Sequence, residues 1–275
     1  MKMKLISIGD NVVDFYQDQQ LMYPGGNALN VAVLSKRNGA EESAYLGIMG
    51  NDSAAAHIMN CLSLEGINID RMRRAFGPNG KATVSLNSDG DRGFIGTNRD
   101  SRVSSLLKLS LTLEDFDYIN QFDIIHTSIN SDLEHELSNL AHKPISFDFS
   151  TKDRWNENYL KQVCPYLTVA FFSGSGLETS EITSLIEKVH DLGVKIVGVT
   201  RGAEPVIFSD RKDLYEQGPV STHVVDTMGA GDSFIAGFLT SYYDLQDMRK
   251  ALIQASHSAA KTCTEYGAFG YGIKI

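Results

Sequence analysis

Short apolar runs alternate along the chain with segments whose apolar residues recur at helical spacing. KLISIG (4–9), SAYLGI (43–48), DIIHTS (123–128), PISFDF (144–149), LTVAFF (167–172) and VKIVGVT (194–200) predict strands. NALNVAVLSKRNG (27–39), DSAAAHIMNCLSLEG (52–66) and ETSEITSLIEKVHDLG (178–193) predict helices, the first and third stopping at Gly39 and Gly193. This alternation is the sequence form of an α/β fold, a parallel sheet with crossover helices. Two segments break the rhythm. VVDFYQ (12–17) and KATVSLNSDGDRGFIGTN (81–98) read as antiparallel strands, the second with an Asp-Gly turn at Asp89–Gly90. They form either a small β lid over the strand ends or an ordinary antiparallel edge of the main sheet.

With 275 residues, 42% of them hydrophobic, the chain can build one large domain around a substantial core. It has no linker between comparable halves and no repeat at a fixed period. The net charge of −9 and the scattered Lys and Arg argue against a nucleic-acid surface, while leaving room for small anionic ligands. Cys61, Cys164 and Cys263 are odd in number and widely spaced, as expected of free thiols in a reducing compartment. The apolar run in MKMKLISIGDN is too short for a secretion signal, and no run approaches the roughly 18 residues of a membrane span. A soluble, cytoplasmic protein with no membrane partner is expected. The seven histidines show no metal-binding spacing, and RMRRAF (71–76) reads as a solvated connector ahead of an anion site.

Chemistry concentrates in VVDTMGAGDSFIAGF (224–238). After the strand-like STHVV (221–225) come Asp226, then Gly229, Ala230, Gly231 and Asp232, then a helix over about 233–243. Small residues at 229–231 let backbone N–H groups converge on one point, where the helix dipole adds positive potential. Such a turn suits the charge on a transferring phosphoryl group. No Gly-Lys-Ser/Thr occurs in the chain, which excludes a P-loop, and Phe234 stands where a GxGxxG fingerprint needs its last glycine. A carboxylate at Asp232 would repel a resting pyrophosphate, but beside an acceptor hydroxyl it could take the proton. The plainer reading makes Asp232 an N-cap for the following helix.

DTMGAGDSFIAGF resembles the C-terminal signature of the ribokinase-like (PfkB) carbohydrate kinases, D-T-x-G-A-G-D-x-F, and the resemblance extends over essentially the whole chain. GDNVVD (9–14) and PGGNALNVA (24–32) look like its sugar-side segments, FDFSTKDRW (147–155) like its F-D-x-N-x-R-x-x-W region, and VTRGAEP (199–205) like its nucleotide-side turn. The resemblance implies a Rossmann-like three-layer α/β domain over 1–275, with a lid from about 12–23 and 81–100, that transfers the γ-phosphoryl group of ATP to a sugar hydroxyl. By the family pattern, Asp232 is the catalytic base and the Gly229–Gly231 backbone is the anion hole. Asp14, Gly26, Asn27 and Asn30 match positions that grip the sugar, and Thr200, Gly202 and Asp226 the nucleotide end. Mg²⁺ would travel with ATP and use few protein ligands. SGLE (175–178) is the nearest fit to the family's metal-supporting N-x-x-E, so Glu178 is either a metal-side carboxylate or a helix-start charge. Ser150 stands where Asn is usual in the FDxN region.

Within the family, IGDNVVDFY, GGNALNVAV, FDFS and DTMGAGDSFIAGF resemble the bacterial fructoselysine 6-kinases. That subgroup implies an acceptor hydroxyl at O6 of fructoselysine or a similar fructosamine, with another ketose or a nucleoside as the alternative, and a non-catalytic sugar-binding protein as the reading outside enzymes. The acidic chain is compatible with a cationic amino-acid appendage. SHSAAKTCTEYGA (256–268) reads as a helix whose small residues serve either adenine binding or close packing. Exposed lid strands can pair with a second copy, which makes a homodimer through the lid an expectation.

Overall fold

All six expected strands enter one eight-stranded sheet in the computed structural model, which describes residues 2–86 and 92–274. The order is Leu214–Gln217, Glu204–Ser209, Ile196–Arg201, Val169–Ser173, Ile145–Thr151, Ile124–Ser128, Lys4–Ile8 and Glu42–Leu46. From Ile196–Arg201 to Glu42–Leu46 every neighbouring pair is parallel. Glu204–Ser209 runs antiparallel and forms a hairpin with Leu214–Gln217 that closes one end.

Both faces of the sheet are covered, which is why its strands read as nearly continuous apolar runs. Leu5, Ile124, Val169 and Phe171 point into one core, shared with the helices Asn27–Arg37, Ser53–Leu64, Ala230–Leu245 and Met248–Thr262. Their chain neighbours Ile6, Ile125, Ala170 and Phe172 point into the other, shared with Leu113–Ile119, Glu157–Val163 and Thr179–Asp191. The result is three layers, helix–sheet–helix. Gly237 lets two helices of the first layer approach closely, since a Cβ there would lie 2.8 Å from Ser258 Cβ and 3.0 Å from Ala255 Cα. The helix expected over 256–268 runs instead from Met248 to Thr262, and Ser258 faces Gly237.

The two off-rhythm segments build a second sheet, separate from the edge of the main one. Its order is Ile273–Lys274, Leu21–Gly25, Val12–Tyr16, Gly80–Leu86 and Arg92–Thr97. Val12–Tyr16 pairs antiparallel with Leu21–Gly25 but parallel with Gly80–Leu86. The Asp89–Gly90 turn and Asp91 lie outside the described residues.

Two expectations need correction. STHVV joins no sheet, because Val225 N and Asp226 N donate to Cys263 O at the end of the last long helix instead of to a strand. Nor is the basic run at 71–76 simply solvated. Arg71 Nε donates to Asp115 Oδ1 at 2.7 Å, and Arg73 pairs with the other oxygen of that buried carboxylate.

Candidate active site

The helix Asn27–Arg37 starts at Gly26, which has a φ of 108° and no side chain to cap the first N–H groups. A Cβ at Gly26 would lie 2.8 Å from Asn11 Cα, so glycine is what lets the segment after the first strand lie against the helix start. Asp10 supplies the missing cap from that segment. Its carboxylate accepts from Asn27 N at 2.8 Å and Ala28 N at 3.2 Å, and from Ser131 Oγ at 3.0 Å. The helix is thereby fixed against the carboxyl ends of the central strands, where α/β sheets place their ligands.

Asn27 and Asn30 stand one turn apart on a common helix face. Both side-chain amides reach Asp232: Asn27 Nδ2 donates to Oδ1 at 2.7 Å and Asn30 Nδ2 to Oδ2 at 2.6 Å. The helix carrying Asp232 begins at Ala230, earlier than its sequence suggests, with Gly229 as N-cap in the left-handed region at φ 73°. Asp232 therefore lies inside the first turn, and the N-cap reading fails. A Cβ on Gly229 would lie 2.4 Å from Ala268 Cβ, whereas one on Gly231 would meet nothing within 4 Å. The helix start is thus closed behind the turn and open in front of it. Ala230 N donates to Thr227 O at 3.2 Å, which leaves it the least available of the three expected anion-hole donors.

Three neighbours of this cluster escaped the sequence reading. Asp148, from Ile145–Thr151, accepts the second hydrogen of Asn27 Nδ2 at 2.7 Å. Burial pushes Asp148 up to about 7, the charge of Asp232 adding to it, while the Ser150 N–H pulls the other way. Ser150 adopts φ 58° and so turns its N–H onto Asp148 Oδ1 at 2.8 Å, in a conformation that asparagine adopts more readily. His126, on Ile124–Ser128, lies beneath Asn27, its Nε2 2.9 Å from Asn27 Oδ1 and its Nδ1 3.1 Å from Ser146 Oγ. Because both Asn27 hydrogens go to carboxylates, Oδ1 must accept, and His126 carries its proton on Nε2. Burial pushes His126 down to about 3, so the ring stays neutral and the amide orientation is fixed. Asp10 is the third, at the carboxyl end of the first strand.

The other expected residues take separate places. Asp14 is buried on the second sheet with its carboxylate over the backbone of Gly25, where a Cβ would lie 2.1 Å from Oδ2. Asp226 is fully buried beneath the glycine turn. Its carboxylate accepts from Met228 N at 2.9 Å, from Gly267 N at 2.8 Å and from the Tyr16 hydroxyl, which fixes the backbone on both sides of the glycine turn. Thr200 and Gly202 lie at the end of Ile196–Arg201 and in the turn after it, Gly202 at φ 63°. Glu178 is exposed as N-cap of Thr179–Asp191. Neither that turn nor Glu178 is bonded to the Asp232 cluster among the described residues. No group of three or more His, Cys, Asp or Glu among them is placed to hold a metal ion, and no described helix is long and apolar enough to cross a membrane.

The family model described as pfkB family carbohydrate kinase matches residues 1–270. Fructosamine kinase FrlD of Bacillus subtilis (strain 168) is 52% identical over 271 residues, 98% of this chain and 94% of that protein. Fructoselysine 6-kinase of Escherichia coli (strain K12) is 33% identical over 267 residues, 96% of this chain and 99% of that one. The solved structure of Arabidopsis thaliana ribokinase complexed with ribose and ATP shares the fold, with a TM-score of 0.79 at 19% identity over 98% of this chain and 95% of that one.

Proposed function

The chain belongs to the pfkB family of carbohydrate kinases, and from that premise we propose that it phosphorylates a fructosamine, at O6 of fructoselysine or a close relative, with ATP as donor. The observation that carries the mechanism is the grip of two asparagine amides on Asp232 at the start of an open helix turn. Asp232 takes the proton of the acceptor hydroxyl as the oxygen attacks phosphorus. Asn27 and Asn30 hold the carboxylate in register, and the neutral His126 keeps Asn27 from turning over. The helix dipole and the backbone at Gly229–Gly231 steady the charge on the moving phosphoryl group, the Gly231 N–H foremost.

ATP would supply the phosphoryl group, and Mg²⁺ on its phosphates would neutralise charge there while needing few protein ligands. The absent side chain at Gly231 supports this, because it leaves the helix start open to an oxyanion. Thr200 and Gly202 would flank the nucleotide, Glu178 would meet the water shell of the metal, and Asp226 sets the turn. Asp14, on the second sheet beside Gly25 and Gly26, would bind sugar hydroxyls. That sheet, with residues of 12–23 and 81–100, serves as the lid that limits wasteful hydrolysis, and a second copy can pair with its exposed outer strand.

The test is ADP release with Mg-ATP across fructoselysine, other fructosamines, fructose, ribose and adenosine, with Asp232→Asn beside the wild type. Turnover should be strongest on a fructosamine, and the variant should lose roughly a hundredfold or more in kcat with sugar binding largely kept. Near-normal turnover in Asp232→Asn would remove the base assignment; preference for ribose or adenosine would remove the fructosamine.

A further inference from the structure

We propose that the cavity beside Asp10 is the subsite for the amino-acid part of the substrate, and that Arg102 receives the carboxylate of that part. The inference rests on the fructosamine reading above. The cavity holds about 420 Å³, and its walls include Gly9, Asp10, Arg99, Arg102, Lys108 and Asp132. Asp10 also bonds Asn27 N, and Asn27 in turn bonds Asp232. A ligand in this cavity is thus one side chain away from the group that grips the base.

Charge sets the chemistry. The chain carries −9 overall, yet this wall has three basic side chains, Arg99, Arg102 and Lys108, against two acidic ones. Both acids are already engaged. Asp10 is held by two backbone N–H groups and by Ser131, and Asp132 pairs with Arg99 at 3.3 Å. Arg102 is half-buried and donates its Nε to Ser105 Oγ at 2.7 Å, with no carboxylate partner among the described residues. Burial pulls it below its ordinary value, with Arg99 and Arg154 adding to the effect and Asp10 and Asp132 opposing it. A guanidinium that has lost water without gaining an anion is a ready site for one, and its planar fork matches a carboxylate. The local field here selects for the negative end of the appendage, which the net charge of the whole chain does not reveal.

The experiment compares fructoselysine with the fructosamine of a simple alkylamine, which lacks the carboxylate. Both are measured by initial rates and by calorimetric binding, in the wild type, Arg102→Gln and Arg102→Lys. Gln retains a donor toward Ser105 and removes the charge, which guards against a folding defect. The wild type should favour the carboxylate-bearing acceptor through KM, and Arg102→Gln should shrink that KM ratio at least tenfold with kcat little moved. Arg102→Lys should restore part of the ratio. An unchanged ratio, or equal loss on both acceptors, overturns the subsite. A wild type that handles the two acceptors equally well also overturns it but leaves the fructosamine reading standing. A wild type that neither binds nor phosphorylates either one removes both.

Discussion

Asp148 is a carboxyl in a costly place. It is half-buried beside a second carboxylate, and among the described residues its carboxylate accepts from one amide hydrogen of Asn27 and from the Ser150 N–H. Because burial raises it to about 7, it binds its proton more tightly in the folded chain than in the unfolded one. Its contribution to stability is therefore fully present below about pH 4, the ordinary carboxylate range, and is lost as pH rises toward 7. Asp148→Asn should then gain thermal stability relative to the wild type as pH increases from 4 to 7, with a constant difference above. A melting-temperature difference that is flat across that range would mean that Asp148 is ionised throughout. The residue scale also shows where reading a sequence stops. Asp232 stood out because the glycine turn that carries it has its own backbone logic, whereas Asn27 and Asn30 came only through the family resemblance, as sugar-side positions, and both amides bond Asp232. Asp148 and His126 were not legible, because their chemistry comes from pairings across 121 and 99 residues of chain, and alone they read as polar interruptions in buried strands.

At the scale of elements, the parallel strands announced themselves because burial on both faces makes them continuously apolar. The closing hairpin did not. Glu204–Ser209 begins with two exposed positions, which leaves the short apolar run Val206–Phe208, and Leu214–Gln217 has no buried position at all. The helix after the glycine turn was placed three residues late, since Gly-Ala-Gly looks like a turn when its surroundings are unknown. What makes it a helix start is Ala268, packed where a Cβ of residue 229 would be. Gly229→Ala should therefore be severe: the left-handed backbone costs about 1–2 kcal/mol for an alanine, and the clash at 2.4 Å adds to that. We expect a lowered melting temperature and at least a tenfold fall in kcat, read by calorimetry and ADP release. Wild-type values in both would show that the turn accommodates a side chain.

At the scale of the molecule, a buried bond from the Tyr16 hydroxyl to Asp226 joins the second sheet to the three-layer body, and Val13 and Met22 of that sheet pack into the first core. The sheet is tethered near its middle while its outer strand Arg92–Thr97 exposes Phe94 and Ile95. If it acts as a lid, acceptor together with a non-hydrolysable ATP analogue should slow tryptic cleavage after the exposed Arg99. Cleavage at the same rate with and without ligands would mean that the sheet does not close. Two sheets were foreseeable from the broken rhythm of the sequence; the parallel pairing of Val12–Tyr16 with Gly80–Leu86 was not, because strands so far apart leave no local turn to read.

The same bond has a consequence for how the protein is made. Tyr16 and Asp226 are 210 residues apart, and Asn27 and Asn30 lie 205 and 202 residues from Asp232. Synthesis at roughly 5–20 residues per second means that the amides leave the ribosome many seconds before the carboxylate they hold. A nascent or prematurely ended chain can carry the first strands and the helix Asn27–Arg37, yet it has no base to orient. Site assembly is thus a late event of biosynthesis, and a chain broken off before residue 232 cannot present a partly working centre to the nucleotide pool.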